Sequence, residues 1–316
     1  MLKKKKRFVC MGGGNAMPVA ILSELKKQPV FISAICAMLD SGGSAGRLRK
    51  DYGIVSPGDI RRAFLALANT SPAIENLFNF RFQVGGLKGH NFANLFITAL
   101  ELSTNNYEKT ITELGKLLKV DHKVLPSTID KSSLCAVLEN GEIIEGETNI
   151  DIPKHNGKLK IERVFLKPKA RAYPKALIEI SRADIIIIGP GDLYSSLAQI
   201  LITEGMADAI KKSRAKKVYI CNLMTKYGET KDYSVGDFTS KIEGLIGAPV
   251  DRVIYNNKKI TEKRSSDYRK KNKELLSPVT PNLGLDKKKF VGADIIKSAG
   301  DIVHSPKKLI KTILNI

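Results

Sequence analysis

Residues 8–18 read FVCMGGGNAMP: a short apolar run enters three consecutive glycines and a proline soon follows. Glycine gives up more conformational entropy on folding than any other residue. Three in a row therefore imply a backbone that must approach something closely. The stretch predicts a β-strand over Phe8–Met11 and a turn at Gly12–Asn15. A helix follows, with Pro18 in its first turn and Ile21, Leu22 and Leu25 on one face. Such a turn aims backbone N–H groups at one point, and the following helix N-terminus favours negative charge there. Phosphate is the ligand this arrangement fits.

The same unit recurs along the chain. Val30–Met38 is a second apolar, β-branched run and ends in LDSGGSAG (Leu39–Gly46). SPGDIRRAFLALA (Ser56–Ala68) reads as a helix: Ser56 caps it, Pro57 enters the first turn, Asp59 closes a capping box, and Ile60, Phe64 and Leu67 form the buried stripe. Further helices are predicted over Asn91–Leu102 and Tyr107–Leu118. Residues 120–170 change character. LCAVLENGEIIEGETNI places Asn140-Gly141 between apolar runs, a hairpin signal, and predicts an antiparallel excursion at about 122–170. The alternating pattern then resumes with helix Pro174–Ser181, buried strand Asp184–Ile188, the loop GPGD, helix Leu193–Lys212 and strand Val218–Leu223, which runs into NLMTKYGET. Residues 256–289 are lysine-dense and poor in apolar residues, and read as a mobile or surface helical segment, with a solvated face preferred. The expectation is one α/β domain over 1–316, with a mostly parallel sheet, helices on both faces and the hairpin excursion.

Composition narrows the partners. The chain has 316 residues and 43% hydrophobic content, enough for a sizeable core. Its net charge of +20 suggests an anionic partner or a lysine-rich solubilising surface. The four cysteines (Cys10, Cys36, Cys135, Cys221) form no CxxC pair and sit among apolar residues, as core cysteines in a reducing compartment do. No run approaches the ~18 apolar residues of a membrane helix. The start MLKKKKRFVCMGGG is too short in its apolar part for a signal peptide. A cytoplasmic location away from membranes is expected. Nucleic acid is disfavoured, because the lysine-rich segment offers Tyr255 and Tyr268 but no nucleic-acid-binding motif.

Three predicted strands end in glycine loops: Gly12–Asn15, Asp40–Gly46 and Gly189–Asp192. In an open parallel sheet these strand ends line one crevice. No GxxxxGK[ST] or GxGxxG spacing is present, which argues against P-loop nucleotide hydrolysis and nicotinamide chemistry. Asp40 suits a ribose hydroxyl, a phosphate-borne Mg²⁺, or a hydrogen bond to its own turn. Arg47, Arg49, Arg61 and Arg62 lie near these loops, with Arg47 inside one and best placed to clamp a phosphate. His90 and Asn94 share a helix face and fit either a ligand contact or a cap. No GxSxG elbow exists, and no catalytic residue is assigned.

Taken in order, GGGN, DSGGSAGRLR, PGDIRR, GLKGHNFANLF, ADIIIIGPGDLYSSL and VYICNLMTKYGETKDYSVGDF resemble the YvcK/CofD family over roughly Phe8–Asp237. The resemblance implies a Rossmann-like fold with its ligand cleft at the strand ends. It has two functional branches. The gluconeogenesis-factor branch binds UDP-sugars such as UDP-N-acetylglucosamine and affects cell shape and carbon metabolism. The 2-phospho-L-lactate transferase branch moves a phospholactyl group from a nucleotide-linked donor, with Mg²⁺ as cofactor. GGSAGRLR, PGDIRR and NLMTKYGET resemble the first branch more. A UDP-sugar or other nucleotide-linked molecule is the implied partner, and a homo-oligomer is compatible with the family. By resemblance, ligand and phosphate contacts fall on Gly12, Gly13, Gly14, Asn15, Asp40, Gly42, Gly43, Ser44, Gly189, Gly191, Asn222 and Thr225, with Asp40 the candidate metal ligand. The chain departs from the family pattern at several points. Asn15 replaces a threonine, Ser41 an acid, Asp192 the serine of a GPGS-like loop, where it caps the next helix or holds a cation, the cap being preferred, and Val303-His304-Ser305-Pro306 stands where an Arg-His-Asp-Pro pattern is associated with the first branch.

Overall fold

A computed structural model describes residues 5–316, so the basic start at 1–4 lies outside the described residues. The strands are β1 (Lys6–Gly12), β2 (Val30–Cys36), β3 (Lys123–Pro126), β4 (Ser133–Leu138), β5 (Ile143–Glu145), β6 (Ile161–Lys167), β7 (Ile185–Ile188), β8 (Lys216–Ile220), β9 (Met224–Lys226), β10 (Arg252–Asn256), β11 (Leu275–Pro278) and β12 (Phe290–Ala293). Seven form one sheet in the order β12-β10-β8-β7-β1-β2-β3. Every pairing in it is parallel. The chain builds outward from β1 to β3, returns to the other side of β1 and builds outward again. This is the doubly wound, Rossmann-like order.

Side-chain alternation splits the core into two layers. Phe8, Cys10, Ile32, Ala34, Ile187, Val218 and Ile254 face one, with the helices that follow β1 and precede β3. Val9, Met11, Ile35, Ile186, Ile188, Tyr219 and Val253 face the other. Both faces are covered, so the strands read as continuous apolar runs, Ile185–Ile188 most plainly. Ile186, Ile187 and Ile188, fully buried, each contribute about 1.5–3 kcal/mol by leaving water. All four cysteines are free and buried, as their apolar neighbours foretell.

The Asn140-Gly141 hairpin is present: β4 pairs antiparallel with β5 and β6, and Gly141 takes a φ of +85° in the turn. The excursion is shorter than 122–170, because Lys123–Pro126 pairs in parallel with β2 as an edge of the main sheet. The predicted helix Leu193–Lys212 is broken. Gly205 sits at φ +93°, and Glu204 is drawn into hydrogen bonds with Ala170 and Ala172, so a new helix starts at Met206. The lysine-dense segment is not merely a solvated face: it folds as helix Glu262–Lys271 and strand β11, which pairs with β9.

The opening glycines now have separate explanations. A Cβ on Gly12 would stand 2.9 Å from Met17 Cβ, and one on Gly13 would stand 2.7 Å from Asp59 Oδ2 and 2.9 Å from Ala37 Cβ. These two are glycine because protein packs against them. Gly14 has φ +61° with open space where its Cβ would be, so it alone is glycine for its turn and leaves room beside it. Gly13→Ala is expected to destabilise the fold by about 1–3 kcal/mol through overpacking, read as a lower urea midpoint with unchanged slope. A wild-type midpoint would contradict this packing.

Candidate functional site

β1 and β7 are adjacent, and the helices that leave them cover opposite faces of the sheet. A crevice opens between the two departing loops, at the carboxyl ends of the strands. It is a cleft of about 630 Å³, within the size range of small-molecule sites. One wall is Gly13–Ala16 and Val19, another is Pro190–Asp192 and Ser196, and Asn222 from the end of β8 stands beside them. Tyr268, Lys297 and the Ala299–His304 loop close the far side. Both flanking helices start with wide π-turns, Pro18–Leu22 and Leu193–Ala198, a feature frequent at functional sites.

Hydrogen bonds hold each wall. The Gly14 N–H donates to Asp59 Oδ1 at 2.9 Å, and Arg62 pairs with the same oxygen. Asp59 is therefore no capping-box residue. Helix Gly58–Leu67 has no side-chain cap, and the Asp59 carboxylate instead clamps the first glycine turn. Asn222 Nδ2 donates to the Gly191 carbonyl at 3.0 Å and ties β8 to the third loop. On the far side, Arg264 donates to the carbonyls of Lys297, Gly300 and Asp301 at 2.8–3.0 Å. That contact fixes the C-terminal loop to the helix that carries Tyr268. The cleft is thus lined by a glycine turn that opens a helix, by Tyr268 and by Lys297, residue types suited to phosphate and a flat base.

Of the residues named from sequence, Gly13, Gly14, Asn15, Gly191 and Asn222 line this cleft. Gly12 and Gly189 lie beneath it as packed backbone: the Gly189 N–H donates to Met11 O, and a Cβ on Gly12 would approach the Pro190 carbonyl at 3.2 Å. The second loop reaches the same rim but turns to the excursion. Asp40 Oδ1 accepts from its own turn at the Gly42 N–H, 2.9 Å. Ser41 Oγ bonds Thr148 Oγ1, and a Cβ on Gly42 would meet that oxygen at 2.8 Å. Gly43 is exposed at φ +51°. Ser44 Oγ accepts from the Asn91 N–H and lies 3.2 Å from His90 Nδ1, which accounts for His90 without a ligand. Asn91, not His90 or Asn94, caps the helix Phe92–Thr104. Arg47 is exposed and donates to the Lys88 carbonyl, so Arg62 takes the place beside the glycine turn that sequence gave to Arg47. Thr225 is buried and bonded to Ser277, away from the cleft.

Sequence reasoning missed three features: the Asp59–Arg62 clamp, the Tyr268 wall and a buried lysine. Asp192 sits at the N-cap of its helix without capping it, and its Oδ2 lies 2.9 Å from Lys226 Nζ. Glu229 caps that helix from outside, accepting from the Tyr194 and Ser195 N–H groups. Burial pushes the Glu229 carboxyl up to about 7, against the pull of Lys226. Burial, with repulsion from Asp40 and Asp151, pushes Glu147 up to about 8. A phosphate-borne Mg²⁺ needs open carboxylate oxygens at the cleft. Among the described residues, Asp151, Asp192 and Glu229 are the group of carboxylates close enough to share an ion, and Lys226 already stands among them. Asp40 is outside that group, so these residues do not fit a divalent ion beside the third loop.

A doubly wound α/β protein with a glycine-walled cleft at its switch point is the class this geometry defines. The profile of the 2-phospho-L-lactate transferase CofD family matches residues 8–298, and the chain belongs to this family. It is 41% identical over 274 residues to the gluconeogenesis factor of Halalkalibacterium halodurans, covering 86% of this chain and 84% of that protein. It is 40% identical over 256 residues to the gluconeogenesis factor of Listeria monocytogenes, covering 80% and 78%. A longer Clostridium acetobutylicum relative, 38% identical, is spanned over 61% of its length. The crystal structure of a UPF0052-family protein from Bacillus halodurans superposes with a TM-score of 0.90 at 36% identity, covering 98% of this chain and 99% of the other. No helix among the described residues is long and apolar enough to cross a membrane.

His304 supplies a pH-dependent signature of the cleft wall. Burial holds its imidazole down to about 4, beside the Cys221 backbone, and its Nε2 has no partner. The folded state keeps His304 neutral while the unfolded chain protonates it near pH 6.5. Its contribution to stability is therefore lost as pH falls from 7 through 6.5 toward 4, by about 1–2 kcal/mol at pH 5. Urea titrations at pH 7 and pH 5 are expected to show this loss, and His304→Asn is expected to shrink it. An unchanged pH slope in the variant would contradict an imidazole held neutral in the folded state.

Proposed function

We propose that this chain is a nucleotide-sugar-binding regulatory protein of the gluconeogenesis-factor type, which takes a UDP-N-acetylglucosamine-like ligand and acts on carbon metabolism and cell shape. One observation carries the reading. The Gly13–Ala16 turn, Gly191, Asn222 and Tyr268 line one crevice, and each of the two glycine turns leads into a helix. A pyrophosphate there meets the start of the helix after β1 and the Gly191 backbone, whereas the Gly14 N–H is held by Asp59 and the first amides of the helix after β7 by Glu229. A base or sugar then reaches Tyr268, Asn222 and Lys297. The curated relatives with most of their length covered carry the same gluconeogenesis-factor name, which supports a regulator over an enzyme. The Mg²⁺-dependent transferase reading has the family description behind it, but the three-carboxylate group is already held by Lys226. A reducing cytoplasm is the setting this function requires, and four free buried cysteines suit it.

A ligand selective for the native state raises stability by about 2.7 kcal/mol at a hundredfold excess over its Kd. UDP-N-acetylglucosamine is expected to raise the melting temperature of the wild type and to leave Asn15→Leu, whose side chain enters the cleft without polar atoms, unshifted. Absence of a wild-type shift at millimolar ligand, or an equal shift in the variant, would overturn the assignment of this cleft.

A further inference from the structure

Lys226 ends β9 with a side chain only 7% exposed, and its ammonium touches carboxylates from three separate segments. Asp151 ends the short helix Glu147–Asp151 of the excursion, Asp192 belongs to the third glycine loop, and Glu229 follows β9. Nζ lies 2.9 Å from Asp192 Oδ2 and 3.2 Å from Glu229 Oε1, and Asp151 Oδ1 is the third partner. An ammonium has three N–H donors and no acceptor; this one donates to Asp151 and Asp192, with Glu229 beside it as a third ion-pair partner. The oxygens of the three carboxylates lie within 4.8 Å of one another. That is how oxygen ligands gather around a hard divalent cation, and the lysine nitrogen stands where the ion would.

The arrangement reaches the cleft. Glu229 Oε2 accepts from the Tyr194 N–H at 3.0 Å, and Ser195 Oγ donates to Glu229 Oε1 at 3.0 Å and lies 3.2 Å from Asp151 Oδ1. The ammonium therefore sets the first turn of the helix behind Gly191. Asp192, with its side chain 40% exposed, forms part of the cleft wall. One oxygen of each carboxylate at this loop is held by a fixed cation, and the second oxygen of Glu229 is held by backbone amides.

We propose that Lys226 is the resident cation of the third glycine loop: it fills a three-carboxylate position of divalent-ion geometry, and the cleft accordingly takes its nucleoside-diphosphate ligand without a bridging metal. The second clause rests on the nucleotide-sugar reading, whereas the first stands on the protein alone.

Mn²⁺ titration followed by electron paramagnetic resonance, without nucleotide, tests the first clause. The wild type and Asp192→Asn are expected to bind the same amount of Mn²⁺. Lys226→Ser is expected to gain a single site that is absent from the Lys226→Ser, Asp192→Asn double variant. A wild-type site abolished by Asp192→Asn, or a folded Lys226→Ser that binds no extra Mn²⁺, overturns it. Should Lys226→Ser not fold alone, refolding in Mn²⁺ becomes the readout: recovery supports the assignment and failure to recover overturns it. For the second clause, the UDP-N-acetylglucosamine melting shift is expected to be equal in EDTA and in Mg²⁺. A shift confined to Mg²⁺ overturns that clause. No shift in either buffer overturns the nucleotide-sugar reading together with that clause, while the lysine assignment still stands or falls on Mn²⁺ alone.

Discussion

β1 and β7 lie side by side and parallel, yet the chain leaves them toward opposite faces of the sheet. Two helices cannot both cover the same strand ends from opposite sides, so a gap remains between their first turns. Everything that follows in the molecule either frames that gap or supports the frame. Gly12 and Gly13 allow the first turn to press against Met17, Ala37 and Asp59. Asn222 fastens the second turn to the end of β8. Without the reversal the same loops would be ordinary strand-to-helix connections.

The walls of the crevice are built from distant parts of the chain, each fixed by charge. Asp59 and Arg62 hold Gly14 from a helix 45 residues away. Lys226 binds Asp151, 75 residues before it in sequence. The antiparallel excursion, which looks like an appendage, contributes Asp151 to that group and packs Thr148 against the second glycine loop. Arg264 does the same for the C-terminal loop. Buried ion pairs of this kind add little net stability, but removing one partner leaves an uncompensated charge and is costly. Their value here is positional, because the cleft needs walls that do not drift.

Sequence alone conveyed the frame well and its supports poorly. Strand runs such as Ile185–Ile188, the Asn140-Gly141 hairpin and the glycine loops at strand ends all depend on local patterns, which one chain displays. The meaning of the individual glycines was hidden, since only neighbours from elsewhere in the fold tell Gly13, glycine for packing, from Gly14, glycine for its turn. Arg47 drew attention because it lies inside a glycine loop, but its helix carries it toward Lys88. Asp59 satisfied a capping rule three residues after Ser56 and was claimed instead by a partner 45 residues away. Lys226 and Tyr268 had no local signal at all. One sits in a short strand after a loop, the other in a run of charges whose composition suggests solvent.

We propose the crevice between the turns after β1 and β7 as the seat of the ligand's phosphates. A crystal structure of the protein soaked with UDP-N-acetylglucosamine tests it most directly. Pyrophosphate density is expected between Gly14–Asn15 and Gly191, with Tyr268 beside the base or sugar. Density seated instead in the basic groove beside β3, lined by Lys116, Lys119 and Arg182, would contradict it.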